Sequence, residues 1–298
     1  MSLFSAAKKV EKKYENLLHT ITGEYNATSY NILNPNFLTY HFMNRYVGEF
    51  SVFAKGILLD IGCGIKPYYR LFSVEDRSAS GGKDRVNGYY GLDYPESITT
   101  EESRVSPSSR DPEYSGLGTS INRYNKPDIW GNGMHLPIKA KAVDSVVSFM
   151  VLEHISEPEL FIQEVRRVIK PEGTVILSTV QAYPIHHEKY DFFRYTRLGL
   201  HYLFEKYGFE IVVLKPHGHF FVHSGEMINH YVNRRLFRNV KWNSLKIVLG
   251  MVKVLLTPVL LLFTMIVNSI SLILNYIDID ETFTTGYTVL AKLKNGTQ

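Results

Sequence analysis

The apolar positions of this chain come in short runs separated by helical spacings. Gly56 to Leu59 is an apolar run of the kind that forms a strand buried on both faces, and it stops at Asp60, Gly62 and Gly64. Similar strands are predicted at Gly88–Asp93, Pro127–Gly133, Asp144–Leu152, Thr174–Thr179, Phe209–Leu214 and Gly286–Leu293. Helical spacing over Phe37–Phe50, Tyr68–Phe72, Glu159–Lys170 and Arg197–Tyr207 places helices between them, the third closed by Pro171 and Gly173. Strands alternating with helices predict an open, mostly parallel α/β sheet with ligands at the carboxyl ends of its strands.

Three stretches depart from this alternation. Residues 1–22 carry apolar residues at three- and four-residue spacing opposite a lysine-rich face, which predicts an amphipathic helix; with residues 26–50 it forms an N-terminal helical cap over 1–50. Residues 97–126 are polar and read as a surface insertion in a core spanning 51–215, after a polar loop at Ser73–Asn87. Val254 to Leu274 contains no charged residue and is long enough to cross a bilayer. It lies in an insertion at 216–283, ahead of a last strand and tail at 284–298.

Composition narrows the chemistry. With 298 residues and 45% hydrophobic content, one large elaborated domain is expected. A net charge of +4 does not argue for nucleic acid. The single cysteine, Cys63, excludes an internal disulfide framework and a multi-thiolate zinc site and fits a reducing compartment. Lysines interrupt the first apolar residues, so no signal peptide is expected.

Candidate chemistry collects after the strands. Alternate glycines at Gly62 and Gly64 let backbone approach a ligand, and Asp60 suits hydroxyls or an ammonium group. Pro67 argues against a nicotinamide dinucleotide, because G-x-G-x-x-G requires glycine there and proline lacks the N–H that pyrophosphate needs. His154 follows the fourth strand, and His186, His187, Glu188, Asp191, Arg194 and Tyr195 follow the fifth. Histidine suits a general base near neutrality. In the bland alternative, Asp191 pairs with Arg194, Thr196 caps the next helix, and His154 merely starts one. His186-His187-Glu188 has no i, i+4 pair, and in His217, His219 and His223 a single such pair does not make up a full helical ligand set, so no metal is expected.

The order of these motifs resembles the class I S-adenosylmethionine-dependent methyltransferases, of the methyltransferase type 11 kind. The residues that carry the resemblance are Asp60-Ile61-Gly62-Cys63-Gly64, Asp93, His135-Leu136-Pro137-Ile138, Val143-Asp144, Val151-Leu152-Glu153-His154 and Glu164 to Gly173. The resemblance implies a Rossmann-like sheet with an antiparallel last strand and S-adenosylmethionine as cofactor. It implies that Gly62, Cys63 and Gly64 lie along the methionine portion, Asp60 near its ammonium, and Asp93 on both ribose hydroxyls. Asn132, Gly133 and Met134 fall where the family contacts adenine. Lys66 stands where the family often has a third glycine. The segment from His186 to Thr196 resembles one found with polysaccharide and lipid-linked substrates. Their places at the carboxyl edge of the sheet make His186, His187 and His154 the catalytic candidates and Glu188, Asp191, Arg194 and Tyr195, with His217 and His219 after the sixth strand, the substrate candidates.

An antiparallel last strand requires the apolar segment to leave and return on one side. A membrane-dipping hairpin bent at Pro258 or at Asn268-Ser269 is therefore expected, although the basic residues before the segment and acids after it fit a single span. A buried dimer interface is a further alternative. The expected function is methylation of an amphiphilic acceptor at the cytoplasmic face of a membrane, an O-methylation of a lipid-linked sugar or head group. Methylation of a quinone-like ring and a non-catalytic scaffold that binds the cofactor are the alternatives.

Overall fold

A computed structural model describes residues 14, 17–23, 28–72, 86–95, 126–187, 189–235 and 243–294. Most of the predicted helix at 1–22, the loop at 73–85, nearly all of the insertion at 97–126 and Glu188 lie outside the described residues. The chain divides into two compact units, Met43–Pro216 with Gly286–Gln298, and Met1–Phe42 with His217–Thr285.

The first unit is built on a seven-stranded sheet. Its strands are β1 (Gly56–Ile61), β2 (Val86–Asp93), β3 (Ile129–Trp130), β4 (Val143–Phe149), β5 (Ile169–Val180), β6 (Phe209–Pro216) and β7 (Gly286–Leu293), in the order β3-β2-β1-β4-β5-β7-β6. Strands β1 to β5 pair in parallel, and β7 is antiparallel to both β5 and β6. The sheet is therefore the Rossmann-like class I arrangement, with strand order reversing on either side of β1 and β4.

Burial explains why these runs became strands. Leu58, Leu59, Val146, Val147, Ile176 and Leu177 are almost wholly buried, as expected of parallel strands covered on both faces. Helix α1 (Phe37–Phe50) contributes Met43, Val47 and Phe50 to the buried set. Helix α2 (Tyr69–Phe72) is a single turn. Helix α3 (Pro158–Val168) has Pro158 in its first turn and buries Phe161, Ile162, Val165 and Val168 at helical spacing. Helix α4 (Arg197–Lys206) is capped by Thr196, whose side chain accepts from the Gly199 N–H at 3.1 Å.

Two boundaries differ from expectation. Helix α3 ends at Val168 rather than Lys170, and β5 starts at once. Pro171 disfavours helical geometry at Lys170, and the strand then takes an irregular step between its pairings with Val143 and Ser145. Strand β4 stops at Phe149 instead of Leu152. Met150 takes a left-handed backbone, φ 56°, with its N–H bonded to the Ser178 carbonyl at 3.0 Å, and Leu152–His154 form a 3-10 turn.

The second unit is helical. It contains α5 (Phe220–His230), a π turn at Tyr231–Arg235 and the 33-residue α6 (Asn243–Asn275). The expected bend is absent: α6 runs through Pro258 and Asn268-Ser269 without a break. Helices α5 and α6 instead form an antiparallel pair. The His219 N–H bonds Asn275 Oδ1 at 2.9 Å, Asn229 Nδ2 bonds Asn268 Oδ1 at 2.8 Å, and Asn233 Nδ2 bonds Thr264 Oγ1 at 2.9 Å. A Cβ at Gly225 would lie 2.1 Å from Ser271 Oγ, so a small residue is required where the helices approach. At the base, Thr285 Oγ1 donates to the His217 carbonyl at 3.1 Å. The chain enters the pair at His219 and leaves it at Asn275, which are hydrogen-bonded to each other, so two helices make the return that was expected within the apolar segment itself.

Candidate active site

The turn after β1 is shaped by its glycines. Gly62 and Gly64 have φ of 75° and 51°, a region side-chain-bearing residues avoid. A Cβ on Gly62 would strike Val151 at 2.3 Å, whereas the space beside Gly64 is open for 4 Å. The Gly62 and Cys63 N–H groups both reach the Leu92 carbonyl, at 2.8 and 3.1 Å, and the Gly64 N–H reaches Asp93 Oδ2 at 2.6 Å. These three donors are thus turned toward the end of β2, so the turn is not a phosphate cradle. Its remaining groups suit a cationic or hydroxyl-bearing ligand.

Two carboxylates flank this turn. Asp60 is buried and accepts a hydrogen bond from the Tyr89 hydroxyl. Burial pushes its carboxyl up to about 7 against the pull of Tyr89. A ligand ammonium would restore the charge that burial disfavours. Asp93, at the end of β2, accepts from the Gly64 N–H and, at 2.7 Å, from the Tyr94 N–H. Asn132 Oδ1 closes a turn on the Met134 N–H at 2.9 Å, which commits one lone pair of that amide oxygen. The Cys63 thiol is buried and raised well above its ordinary value by that burial.

Lys66 was legible in sequence only as an oddity. It holds the left-handed backbone of the missing glycine, φ 54°, which costs a non-glycine residue about 1–2 kcal/mol. Its ammonium, 3% exposed, sits 2.7 Å from Asp128, which also accepts from the Gly91 N–H at 2.7 Å. This charge-assisted bond, buried only on the lysine side, offsets the backbone cost and ties the turn to the approach of β3.

The histidine candidates assemble at the same carboxyl edge. Val151, which touches the Gly62 turn, leads into Glu153 and His154, while His186 and His187 follow β5. The rings of His154 and His186 lie 4.7 Å apart, and His187 is 5.4 and 5.5 Å from them. Both Nδ1 atoms face carbonyls, His154 that of Tyr190 at 3.0 Å and His186 that of Pro184 at 3.1 Å. A carbonyl only accepts, so Nδ1 carries the hydrogen and Nε2 keeps its lone pair in each neutral ring. Burial lowers both imidazoles, His186 to about 4 with help from His154, so both are neutral bases at pH 7.

Beneath them lies Glu153, which sequence reasoning used only as part of a motif. It is wholly buried; Oε2 accepts from Thr179 Oγ1 at 2.8 Å, and Oε1 has no partner among the described residues. Burial pushes its carboxyl up to about 7.

The loop over this cluster is held internally. Asp191 takes a bidentate pair from Arg194, with Nη2 to Oδ2 at 2.7 Å, and the His186 N–H at 3.0 Å. Burial opposes its charge, but these bonds outweigh burial and hold the carboxyl at about 2. Arg194 also donates to the Tyr183 carbonyl, and the Tyr195 hydroxyl to that of Leu152, at 3.2 Å each. The structure thus shows the pairing alternative for Asp191 and Arg194, and a cap at Thr196. His217 and His219 belong to the helical unit.

Residues 59–177 match the model of a methyltransferase domain, and that span runs from β1 through Asp60, Asp93, Asn132 and Glu153-His154 into β5. Over residues 59–177 this chain is similar to S-adenosylmethionine-dependent methyltransferases. A probable S-adenosylmethionine-dependent methyltransferase of Mycolicibacterium smegmatis is 41% identical over 58 residues, which covers 19% of this chain and 23% of that relative. Among solved structures, phosphoethanolamine N-methyltransferase 2 of Haemonchus contortus, in complex with S-adenosyl-L-methionine, is 13% identical. That alignment covers 94% of this chain and 60% of that one, with a TM-score of 0.44. The YcgJ protein of Bacillus subtilis is 14% identical over 86% of this chain and 98% of its own, with a TM-score of 0.43.

Proposed function

We propose that this protein transfers a methyl group from S-adenosylmethionine to a hydroxyl of an amphiphilic acceptor, a sugar of a lipid-linked glycan or a lipid head group, at the cytoplasmic face of a membrane. When bound, the cofactor supplies an electrophilic methyl group on a sulfonium. In this reading Asp60 holds its ammonium, Asp93 its ribose, and the Asn132 turn its adenine, with the open side of Gly64 admitting it. The protein must then orient a hydroxyl and accept its proton. The histidine cluster offers neutral Nε2 lone pairs for that task.

The observation that carries the acceptor class is the inverted polarity of α6. Leu255, Val259, Leu262, Ile266, Ile270 and Ile273 form one stripe and are 46% to 79% exposed, whereas Thr264, Asn268 and Ser271 are buried. Val254–Asn275 is a candidate span with mean hydropathy 2.1, only 17% of it buried. A helix with its polar groups inside and its apolar side chains outside suits a lipid surround.

The test supplies the full chain with S-adenosylmethionine labelled in its methyl group and with membrane lipid extract. Label should enter the lipid fraction, and His186→Ala with His187→Ala should abolish its entry while cofactor binding persists. Unchanged transfer in that double variant would remove the base assignment. Cofactor binding without transfer to any lipid fraction would support a scaffold, and label in a quinone fraction would redirect the acceptor.

A further inference from the structure

We infer that Glu153, His154 and His186 form a binding site for a divalent transition-metal cation of the Zn2+ type. One donor atom from each residue lies within 4.8 Å of those from the other two. This set differs from both groups of histidines that the sequence brings to notice. It joins the end of β4 to the loop after β5, so only the folded sheet assembles it.

Three observations favour a cation. First, Glu153 Oε1 is buried and unpartnered among the described residues, although its sister oxygen is fixed by Thr179. A buried carboxylate oxygen without a partner is costly, and a cation satisfies it. Second, the carbonyls of Tyr190 and Pro184 set the tautomer of both rings and leave Nε2 as the atom able to bind a cation. Histidines that ligate metals are held in this way, with the other ring N–H donated to a carbonyl or carboxylate. Third, the His186 side chain is 26% exposed, so an ion has a route in and an exchangeable ligand has room.

The donor set points to the type of ion. Two imidazoles and one carboxylate match borderline cations better than Mg2+, which prefers oxygen ligands and retains water. Three protein ligands leave a tetrahedral ion one open position, the pattern of catalytic rather than structural zinc. At bond lengths of ~2.1 Å, such ligands lie roughly 3.4 Å apart, so binding draws the three side chains together by modest torsional adjustment.

A consequence for catalysis rests on the methyl-transfer reading, whereas binding of the ion does not. An acceptor hydroxyl at the open position would be acidified by the ion. His154 and His186 would then be ligands, and His187 the imidazole left to take the proton.

The experiment measures metal directly. The full chain is stripped with chelator, dialysed against Zn2+ and analysed for bound metal, with calorimetry of Zn2+ and of Mg2+ in parallel. One Zn2+ per chain is expected, with no comparable Mg2+ binding. His154→Ala and His186→Ala should each weaken Zn2+ binding by roughly 10–100-fold or more, while His201→Ala, outside the cluster, should leave it unchanged. Glu153→Gln should weaken it likewise, and because that buried variant can fail to fold, near-ultraviolet circular dichroism accompanies it and His186→Ala carries the test. Co2+ should give visible ligand-field bands that His186→Ala abolishes. Failure to retain Zn2+, or retention unaffected by both histidine variants, overturns the site. Loss of the metal claim with transfer intact would leave the methyltransferase reading standing, and metal binding without transfer would leave the site standing alone.

Discussion

The sheet unit and the helical unit solve the burial of their chain in opposite senses. In the first, Leu58, Val147, Phe161 and Ile176 are inside, and charges such as the Lys206–Glu159 pair lie on the surface. In the second, α6 places Asn268 inside, where its Nδ2 donates to the Ile32 and Asn34 carbonyls at 2.8 and 3.1 Å, and turns its aliphatic side chains out. The contrast teaches that hydropathy alone does not define an inside. In the sheet unit apolar surface leaves water by packing on itself. In the helical unit polar groups find partners within the protein, and the apolar stripe of α6 stays uncovered.

The largest effect should come from charging that outer face. Ile266→Lys with Ile270→Lys should cost roughly 5–7 kcal/mol of membrane partition if each lysine adds ~2.5–3.5 kcal/mol at the centre of a bilayer. Vesicle flotation reads the shift to the soluble fraction. Unchanged flotation would break the contrast, because the face would then be an ordinary water-exposed surface.

Next comes the core of the sheet unit. Phe161→Ala removes a fully buried ring and should destabilise by about 3–5 kcal/mol in chemical denaturation. A loss under ~1 kcal/mol would mean that this region is not close-packed.

Asn268→Leu should sharpen the comparison. An apolar side chain at a buried site would be tolerated under the rule of the sheet unit. Here it strips partners from two backbone carbonyls and from Asn229, and should destabilise by about 1–3 kcal/mol. Detergent-solubilised melting curves provide the measurement, and a stabilised variant would contradict the polar interior.

The smallest effect is in the cofactor turn. Asp60 is held at about 7 by burial, so it is mostly protonated at pH 6 and mostly ionised at pH 7.5. S-adenosylhomocysteine, which presents an ammonium group, should bind roughly eightfold more tightly at pH 7.5 than at pH 6, in proportion to the ionised fraction. Calorimetry should find the dependence abolished in Asp60→Asn. Without ligand the sign reverses. The folded state keeps a proton that the unfolded chain releases above its ordinary value, so stability should fall as pH rises from about 4 toward 7.

Local pattern made the sheet legible. Apolar runs ending at Asp60, Asp93 and Glu153-His154 are properties of consecutive residues, and they located the strands and the carboxyl edge where the site lies. The Asp60 to Gly64 turn was legible for the same reason, since positive φ demands glycine at the place where it occurs. Reach between distant segments was not legible. Nothing near Lys66 in the chain announces Asp128, and nothing near Asn268 announces the carbonyls of Ile32 and Asn34. A bend was sought within the apolar segment because proline and asparagine stand there, yet the asparagine faces inward and the chain reverses between two helices.

What the sequence determined by itself is the ladder of strands, the ligand turn and an apolar segment too long to ignore, because periodicity and backbone preference act over a few residues. What only the tertiary structure decided is which polar atoms end without a partner and which apolar ones end without cover. Glu153 Oε1 and the outer stripe of α6 are defined by what surrounds them after folding, and burial is a property of the whole surround.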